Sequence, residues 1–242
     1  MKHFIHVKKK ALKDDVCKSL IDWFEESEDL QYRGMLGKRG ETIEDDENKD
    51  SMDITFHPGY LKEKKIGPLL NDYVMPTLFQ GIDDYYRYFY MTMDKMDRID
   101  VAKFFNMQKY EPGGGYKQFH SERSSTQFFN RTHAWMIYLN DVDVGGETEF
   151  YYQQHFERAE MGKLVIWPAD FTYLHRGIVA PYETKYILTG WLEFENSTAC
   201  VDGDGVERNI IYDPSSRRIV LLPMESDKDG YSKNRDKFSY ED

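Results

Sequence analysis

The sequence predicts an α+β protein with a mainly β core of the sandwich or jelly-roll type and supporting N-terminal helices. Three observations predict it: apolar residues at helical spacing in the first third, short aromatic and β-branched segments from about residue 101, and enough apolar material for a sizeable core. The chain has 242 residues, 40% hydrophobic and 15% aromatic, which suits one domain of this size. We expect a single domain over 1–242, with mostly helical support over 1–100, a jelly-roll core over 101–195 and a polar extension over 196–242.

The first two elements of the N-terminal part are predicted as a helix and a loop. In "ALKDDVCKSLIDWFEESEDL" the apolar residues recur at near-helical spacing among acids and lysines. Residues 34–53, "GMLGKRGETIEDDENKDSMD", are polar and dotted with glycine, which predicts a mobile loop. A second amphipathic helix is predicted in "KKIGPLLNDYVMPTLFQGIDDYYRYFYM", interrupted by Pro68 and Pro76.

The β core is predicted from short segments that end in Gly, Pro, Asn or Asp. They are "VAKFFNMQKY", "THAWMIYLND", "TEFYYQ", "KLVIWP", "FTYLHRG" and "TKYILTGWLEF". Strands of this length separated by turn residues are typical of sandwiches and jelly rolls. "NDVDVGGETEF" is predicted to be a hairpin connection, with Gly145 and Gly146 taking positive φ.

Charge and cysteine content narrow the classes of partner and compartment. A formal charge of −11 argues against a nucleic-acid backbone or an anionic membrane as the main partner. The two cysteines, Cys17 and Cys200, have no metal-like spacing and predict a reducing compartment rather than a disulfide framework. With no apolar run of signal-peptide or membrane-span length, the expectation is a soluble, cytoplasmic protein. The oligomeric state is left open.

A candidate metal site begins with His120 and Glu122. In an extended chain, residues two apart project to the same side, so this imidazole and carboxylate would form half of a site for iron, zinc or manganese. His175, in "FTYLHRG", would share a strand face with two aromatic residues and is a candidate third ligand. The alternatives are two solvated polar residues at a strand end and a hydrogen-bonded core histidine. Together the three form a facial triad that suits non-haem Fe(II) oxygenases, and zinc fits the same residues.

Lys185 predicts an anionic ligand beside this metal site. In "TKYILTGWLEF" it lies on the same strand face as Ile187, Thr189 and Trp191. A lysine among apolar side chains either extends its amine to solvent or meets an anion inside the protein. Its position ten residues after His175 favours the anion. A dicarboxylate cosubstrate could then bind the metal at one end and Lys185 at the other.

The combination of these residues resembles a known family. "YEPGGGYKQFHSE", "RTHAWMIYLNDVDVGGETEF", "GKLVIWPAD", "YLHRG" and "ETKYILTGWL", within residues 110–192, resemble the prolyl 4-hydroxylase-like Fe(II)/2-oxoglutarate dioxygenases in order and spacing. The resemblance implies a double-stranded β-helix, the jelly roll of that family. It also implies that His120, Glu122 and His175 bind Fe(II) and form the catalytic set. The family's usual acid is Asp, so Glu122 is a departure from its pattern.

The resemblance also implies roles around the metal. Lys185 would pair with the distal carboxylate of 2-oxoglutarate and Tyr138 would hydrogen-bond it. Tyr110 would lie near the carboxylate that chelates the metal, while Thr189 and Trp191 would line the pocket.

A substrate contact is implied for Arg131. Seven residues separate it from Tyr138, which places it on the opposite face of a regular strand. It would therefore reach the site only from the mouth or across a bulge.

The implied activity is hydroxylation of an unactivated C–H bond. Fe(II), 2-oxoglutarate and O2 would be needed, with ascorbate as a further candidate cofactor and succinate and CO2 as coproducts. The favoured substrate is a prolyl residue in a peptide or protein. The alternatives are another amino-acid residue or a small molecule, a non-catalytic jelly-roll module that binds metal or 2-oxoglutarate, and zinc-dependent hydrolysis.

Overall fold

The computed structural model describes residues 3–38, 41–96, 99–194, 200–201, 207–213 and 218–223. Contacts group the chain into two compact units, Met1–Glu195 and Asn196–Asp242. The helices are α1 Asp14–Glu26, α2 Gly67–Leu69, α3 Met75–Tyr88 and α4 Tyr90–Met93. The strands are β1 His6–Lys8, β2 Tyr32–Arg33, β3 Met35–Lys38, β4 Glu41–Glu44, β5 Lys49–Asp50, β6 Met52–Phe56, β7 Ile99–Tyr110, β8 Gly115–Tyr116, β9 Arg131–Tyr138, β10 Thr148–Phe150, β11 His155–Glu157, β12 Leu164–Pro168, β13 His175–Gly177, β14 Lys185–Phe194, β15 Cys200–Val201, β16 Glu207–Asp213 and β17 Arg218–Pro223.

Two antiparallel sheets form the core of the first unit. The larger sheet has seven strands in the order β1-β12-β9-β14-β7-β6-β2, and the smaller has three in the order β11-β10-β13. Side chains from both sheets pack into one buried cluster that includes Tyr110, Tyr138, Phe150, Trp167 and Ile187. The predicted mainly β core with N-terminal helices is therefore confirmed.

The other face of the larger sheet is covered by α1. Its buried residues are Val16, Cys17, Leu20, Trp23 and Phe24. Trp23 stacks on Phe56 of β6, with ring centroids 5.4 Å apart, and Phe24 meets Tyr186 of β14 edge-on. Burying side chains of this size typically contributes about 1.5–3 kcal/mol each. Because Tyr186 faces α1, the residues on either side of it in β14 face the opposite side of the sheet. Lys185 and its same-face neighbours are therefore directed into the core.

The sequence predicts that Pro76 interrupts the second helical segment, but the structure shows no break there. A π-helical turn at Leu70–Val74 lies between α2 and α3, and Pro76 falls in the first turn of α3. The wider turn relieves the clash of the proline ring with the preceding backbone, so the helical path continues. Among the described helices, none has the length and apolar composition needed to span a bilayer.

The prediction of a mobile loop over residues 34–53 is wrong in large part. The segment contains β3, β4, β5 and the first residues of β6, which continues to Phe56 and pairs with β7. Lys49, Ser51 and Asp53 are buried here, because they bond to one another. The polar sequence indicated exposure, whereas mutual pairing allows these side chains to lie inside the protein.

Two further connections differ from the sequence-based expectation. "NDVDVGGETEF" links β9 of the larger sheet to β10 of the smaller one, so it crosses between sheets rather than closing a hairpin. Gly145 does take positive φ there, and a Cβ would lie 2.1 Å from the Val179 carbonyl oxygen. Within the region predicted as a polar extension, β15, β16 and β17 form an antiparallel sheet. The part of the predicted polar extension after residue 223 lies outside the described residues.

Candidate active site

The structure brings His120, Glu122 and His175 together. One donor atom from each lies within 4.8 Å of the others. Glu122 Oε1 is 3.6 Å from His120 Nε2 and 3.4 Å from His175 Nε2. The two Nδ1 atoms lie against backbone carbonyls, at 3.0 Å from Gln118 O and 2.9 Å from Tyr173 O. Donation from Nδ1–H to a carbonyl leaves Nε2 as the free lone pair, which is the arrangement of a metal-binding histidine.

The backbone holds the two histidines side by side. His120 and His175 form an isolated antiparallel bridge, in which each N–H donates to the other's carbonyl at 2.9 Å. His175 is buried with its ring against Phe150 and Trp167. His120 is stacked on Tyr116, with ring centroids 3.7 Å apart and planes 7° from parallel. Both imidazoles are therefore fixed before any ligand arrives.

One carboxylate oxygen of Glu122 is held by the larger sheet. Trp191 Nε1 donates to Oε2 at 2.7 Å, and Arg131 Nη1 donates to the Glu122 backbone carbonyl at 3.3 Å. Oε1 is left facing the imidazoles. Burial alone would raise the pKa of Glu122, but the adjacent imidazoles of His120 and His175 outweigh it and hold the pKa well below its usual range. Burial and the neighbouring His175 lower the pKa of His120, so a neutral imidazole is favoured.

Arg131 reaches the site across a β-bulge. The register between β14 and β9 shifts from Leu192 opposite His133 to Glu193 opposite Arg131, so β9 carries one extra residue there. The guanidinium lies 3.5 Å from the ring centroid of Trp191 and 4.0 Å from that of Phe128. Its Nε is buried and makes no hydrogen bond within the described residues. A bulge is one of the two routes by which Arg131 was expected to reach the site.

Lys185 is a buried cation on the inner face of the larger sheet. Only 4% of its surface is exposed, and its Nζ donates to the Gly146 carbonyl at 3.1 Å. It lies opposite Tyr110 in the β14–β7 register, with Nζ 5.0 Å from the centre of the tyrosine ring. Within the described part of the chain it forms no ion pair. Burial lowers its pKa from 10.5 to about 8, against the weaker opposing effect of Glu147.

The other residues implied to bind the cosubstrate are already partnered inside the protein. The Tyr138 hydroxyl lies 2.6 Å from Thr148 Oγ1 and 3.3 Å from the Glu157 carbonyl. The Tyr110 hydroxyl donates to Gln108 Oε1 at 2.8 Å. Thr189 Oγ1 donates to the Trp135 carbonyl at 3.1 Å, within its own sheet. These residues share the core face with Lys185, whereas Trp191 contacts the metal-site carboxylate.

Two site features differ from what the sequence suggested. Phe171–Tyr173 is a 3-10 turn, not a strand, and Phe171 is 74% exposed, so His175 does not share a strand face with it. Tyr116 was not assigned a role in the sequence analysis, yet it stacks on His120. Its position four residues before a candidate ligand, at the end of a glycine-rich turn, is the signal that could have identified it.

A protein-family model matches the part of the chain that contains this site. The family model described as "2OG-Fe(II) oxygenase superfamily" matches residues 105–193, a range that contains His120, Glu122, His175 and Lys185. This part of the chain therefore resembles a 2OG-Fe(II) oxygenase core. Members of that superfamily use Fe(II), 2-oxoglutarate and O2. The resemblance noted from the sequence is therefore confirmed for this part of the chain, and no curated protein sequence matches the chain significantly.

Several solved structures similar to this chain are prolyl hydroxylases. The viral collagen prolyl hydroxylase of Paramecium Bursaria Chlorella virus-1 has 16% identity, a TM-score of 0.55 and coverage of 79% of this chain and 97% of that one. A Pseudomonas putida prolyl-4-hydroxylase has 15% identity, a TM-score of 0.58 and coverage of 79% and 94%. A Trichoplax adhaerens prolyl hydroxylase, in complex with a hypoxia inducible factor oxygen degradation domain peptide fragment, has 12% identity, a TM-score of 0.59 and coverage of 80% and 84%. At these identities the likeness shows the fold, and the predicted jelly roll is confirmed.

Proposed function

We propose that the protein is a 2-oxoglutarate-dependent dioxygenase that hydroxylates an unactivated C–H bond in a peptide or protein, most favourably at a prolyl residue. The observation that carries the proposal is the presence of two kinds of group in the β core. His120, Glu122 and His175 converge on one point, and Lys185 is a buried cation on the inner face of the larger sheet that forms no ion pair within the described residues.

The donor set fits Fe(II). Two neutral imidazoles and one carboxylate on one side leave coordination positions open for a cosubstrate and O2. Glu122 would bind through Oε1 alone, because Oε2 accepts the Trp191 hydrogen bond. The extra methylene of Glu relative to Asp is accommodated by a turn that follows the His120–His175 bridge. When bound, the iron supplies O2 activation coupled to oxidative decarboxylation of 2-oxoglutarate.

The buried cation fits the distal carboxylate of 2-oxoglutarate. An ammonium group out of water is costly unless it is paired, and its lowered pKa reports that cost. A carboxylate within reach of Lys185 would supply the missing charge. Tyr138 and Thr189, on the same core face, would line the cavity. A zinc hydrolase would have no use for this cation, so the geometry favours the dioxygenase over that alternative.

A peptide substrate is supported by the position of Arg131 beside the metal-binding residues. Arg131 Nε lies buried beside Trp191 and 4.0 Å from Glu193 Oε1, but makes no hydrogen bond within the described residues, and a peptide carbonyl is a suitable acceptor for it. Three of the structurally similar proteins described above are prolyl hydroxylases, and the Trichoplax enzyme is in complex with a peptide fragment. Prolyl specificity is proposed for this chain on those grounds.

The test is incubation with a proline-containing peptide library, Fe(II), 2-oxoglutarate, ascorbate and air, followed by mass spectrometry. We expect a gain of one oxygen atom on a peptide and stoichiometric succinate. Omission of 2-oxoglutarate should abolish both, and Lys185→Met, which keeps the side-chain length, should strongly reduce both. Modification of another residue or a small molecule would change the substrate but retain the chemistry. Turnover without 2-oxoglutarate or O2 would instead indicate metal-dependent hydrolysis, and no succinate under any condition would indicate a binding module.

A further inference from the structure

A buried polar network lies next to Tyr110, the residue opposite Lys185. Lys49, Ser51, Asp53 and Gln108 are each at most 5% exposed. Asp53 Oδ2 accepts from Lys49 Nζ at 2.7 Å and from Gln108 Nε2 at 2.8 Å, while Oδ1 accepts from Ser51 Oγ at 2.8 Å. Both carboxylate oxygens are therefore satisfied, as a buried charge requires.

Space for this network depends on a glycine. A Cβ on Gly34 would lie 2.1 Å from Ser51 Oγ and 2.9 Å from Lys49 Cε. The Gly34 N–H also donates to the Ser51 carbonyl at 2.8 Å, which brings the two chain segments into contact. The network is thus packed closely against the Gly34 backbone.

The network fixes the direction of the hydrogen bond between Gln108 and Tyr110. An ionised carboxylate only accepts, so Gln108 must turn its NH2 group to Asp53 and its carbonyl oxygen to Tyr110. The Tyr110 hydroxyl consequently donates to Gln108 Oε1, at 2.8 Å. Burial and the nearby Asp53 raise the pKa of Tyr110 well above its usual value, so the phenol keeps its proton. Its one hydrogen is committed inside the protein, and only acceptor capacity is left for the pocket.

A carboxylate has no hydrogen to donate, so it cannot use that acceptor capacity. We propose that Gln108, oriented by Asp53, is a positioning residue that withholds the Tyr110 hydrogen from the cosubstrate carboxylate. Tyr110 then shapes the pocket without hydrogen-bonding 2-oxoglutarate. This inference rests on the proposed function, because it assumes that 2-oxoglutarate binds beside Tyr110.

The test is a double-mutant cycle on 2-oxoglutarate binding, with Mn(II) in place of Fe(II) so that no turnover occurs. The proteins are the wild type, Tyr110→Phe, Gln108→Met and the double variant, with Kd measured by calorimetry. We expect Tyr110→Phe to change Kd by less than about twofold, because its hydrogen is not in use. Gln108→Met should free that hydrogen and tighten binding about tenfold, the usual scale for a hydrogen bond to a charged group. Adding Tyr110→Phe to Gln108→Met should remove the gain.

An equal loss of affinity from Tyr110→Phe in both backgrounds would overturn the inference, since it would mean that Tyr110 donates to the ligand in the wild type. Gln108→Leu repeats the cycle if Gln108→Met does not fold. A second cycle, on the melting temperature of the ligand-free protein, tests the bond itself. Each single change should lower the melting temperature, and the double change should lower it by less than their sum.

The two cycles separate this inference from the proposed function. A wild-type protein that does not bind 2-oxoglutarate at all would overturn both proposals. Coupling in the melting temperatures would then show that the Gln108–Tyr110 bond exists without serving a cosubstrate. Binding by the wild type without the expected coupling would overturn the positioning role alone.

Discussion

Raising the pH from 7 to 9 should weaken 2-oxoglutarate binding through Lys185. The perturbation acts on a side chain that is buried and whose pKa is lowered from 10.5 to about 8. That fall corresponds to about 3 kcal/mol against the charged form, at about 1.4 kcal/mol for each tenfold change in the proton equilibrium. A carboxylate beside the amine favours the charged form, so binding selects the protonated protein.

The magnitude follows from the protonated fraction. With a pKa of about 8, Lys185 is about nine-tenths protonated at pH 7 and about one-tenth protonated at pH 9. The apparent Kd for 2-oxoglutarate should therefore rise about tenfold over this interval, because only the protonated fraction is competent to bind. Both carboxyl groups of 2-oxoglutarate stay ionised throughout, so the ligand's own charge does not change.

The assay is anaerobic calorimetry with Mn(II) at several pH values between 7 and 9. Lys185→Arg is the matched control, because its guanidinium stays charged over this range and its Kd should be nearly constant. Lys185→Met should bind weakly at every pH. A wild-type Kd that is flat from pH 7 to 9, or the same rise in Lys185→Arg, would refute the assignment of the cosubstrate cation to Lys185.

Three further outcomes are expected. His175→Ala should abolish both Mn(II) binding and turnover while the circular dichroism spectrum is unchanged; metal binding equal to the wild type would contradict the ligand assignment. Trp191→Phe should weaken Mn(II) binding by about 10- to 100-fold, because Glu122 loses the bond that orients it, and titration calorimetry would measure this. Because the folded-state pKa of Lys185 is lowered, the ligand-free wild type should gain up to about 3 kcal/mol of stability relative to Lys185→Met as the pH rises from about 8 towards 10.5; urea unfolding that shows no gain would contradict it.

The β core and the metal set were accessible from the sequence because both are local patterns. Successive residues of a strand face opposite sides, so the segment "TKYILTGWLEF" predicts one face with Lys185 and another with Tyr186. In the structure, β14 directs Lys185 inward and Tyr186 towards α1. His120, Glu122 and His175 were found by residue type and spacing, which limit the ligand chemistry strongly. The same spacing did not reveal that Glu122 lies in a turn, or that Trp191 fixes one of its oxygens.

What could not be predicted depends on pairing between distant segments. Lys49 and Asp53 indicate solvent exposure by composition, but they bond to each other, and Asp53 also accepts from Gln108, more than fifty residues away, which allows burial. The extra residue that brings Arg131 to the site is a register property of β9 against β14, and no feature of either strand alone specifies it. Three strands in the region expected to be a polar extension were missed for a similar reason, because short strands need a partner to form.

The backbone bridge between His120 and His175 has a consequence for how the protein responds to loss of its metal. One ligand of the bridged pair extends from the smaller sheet, while Glu122 is tied to the larger sheet through Trp191. An ion bound by His120, Glu122 and His175 would link the smaller sheet to the larger sheet at this site. Chelation should accordingly loosen the rim around the entrance first, and protease sensitivity should increase there well before the aromatic interior unfolds.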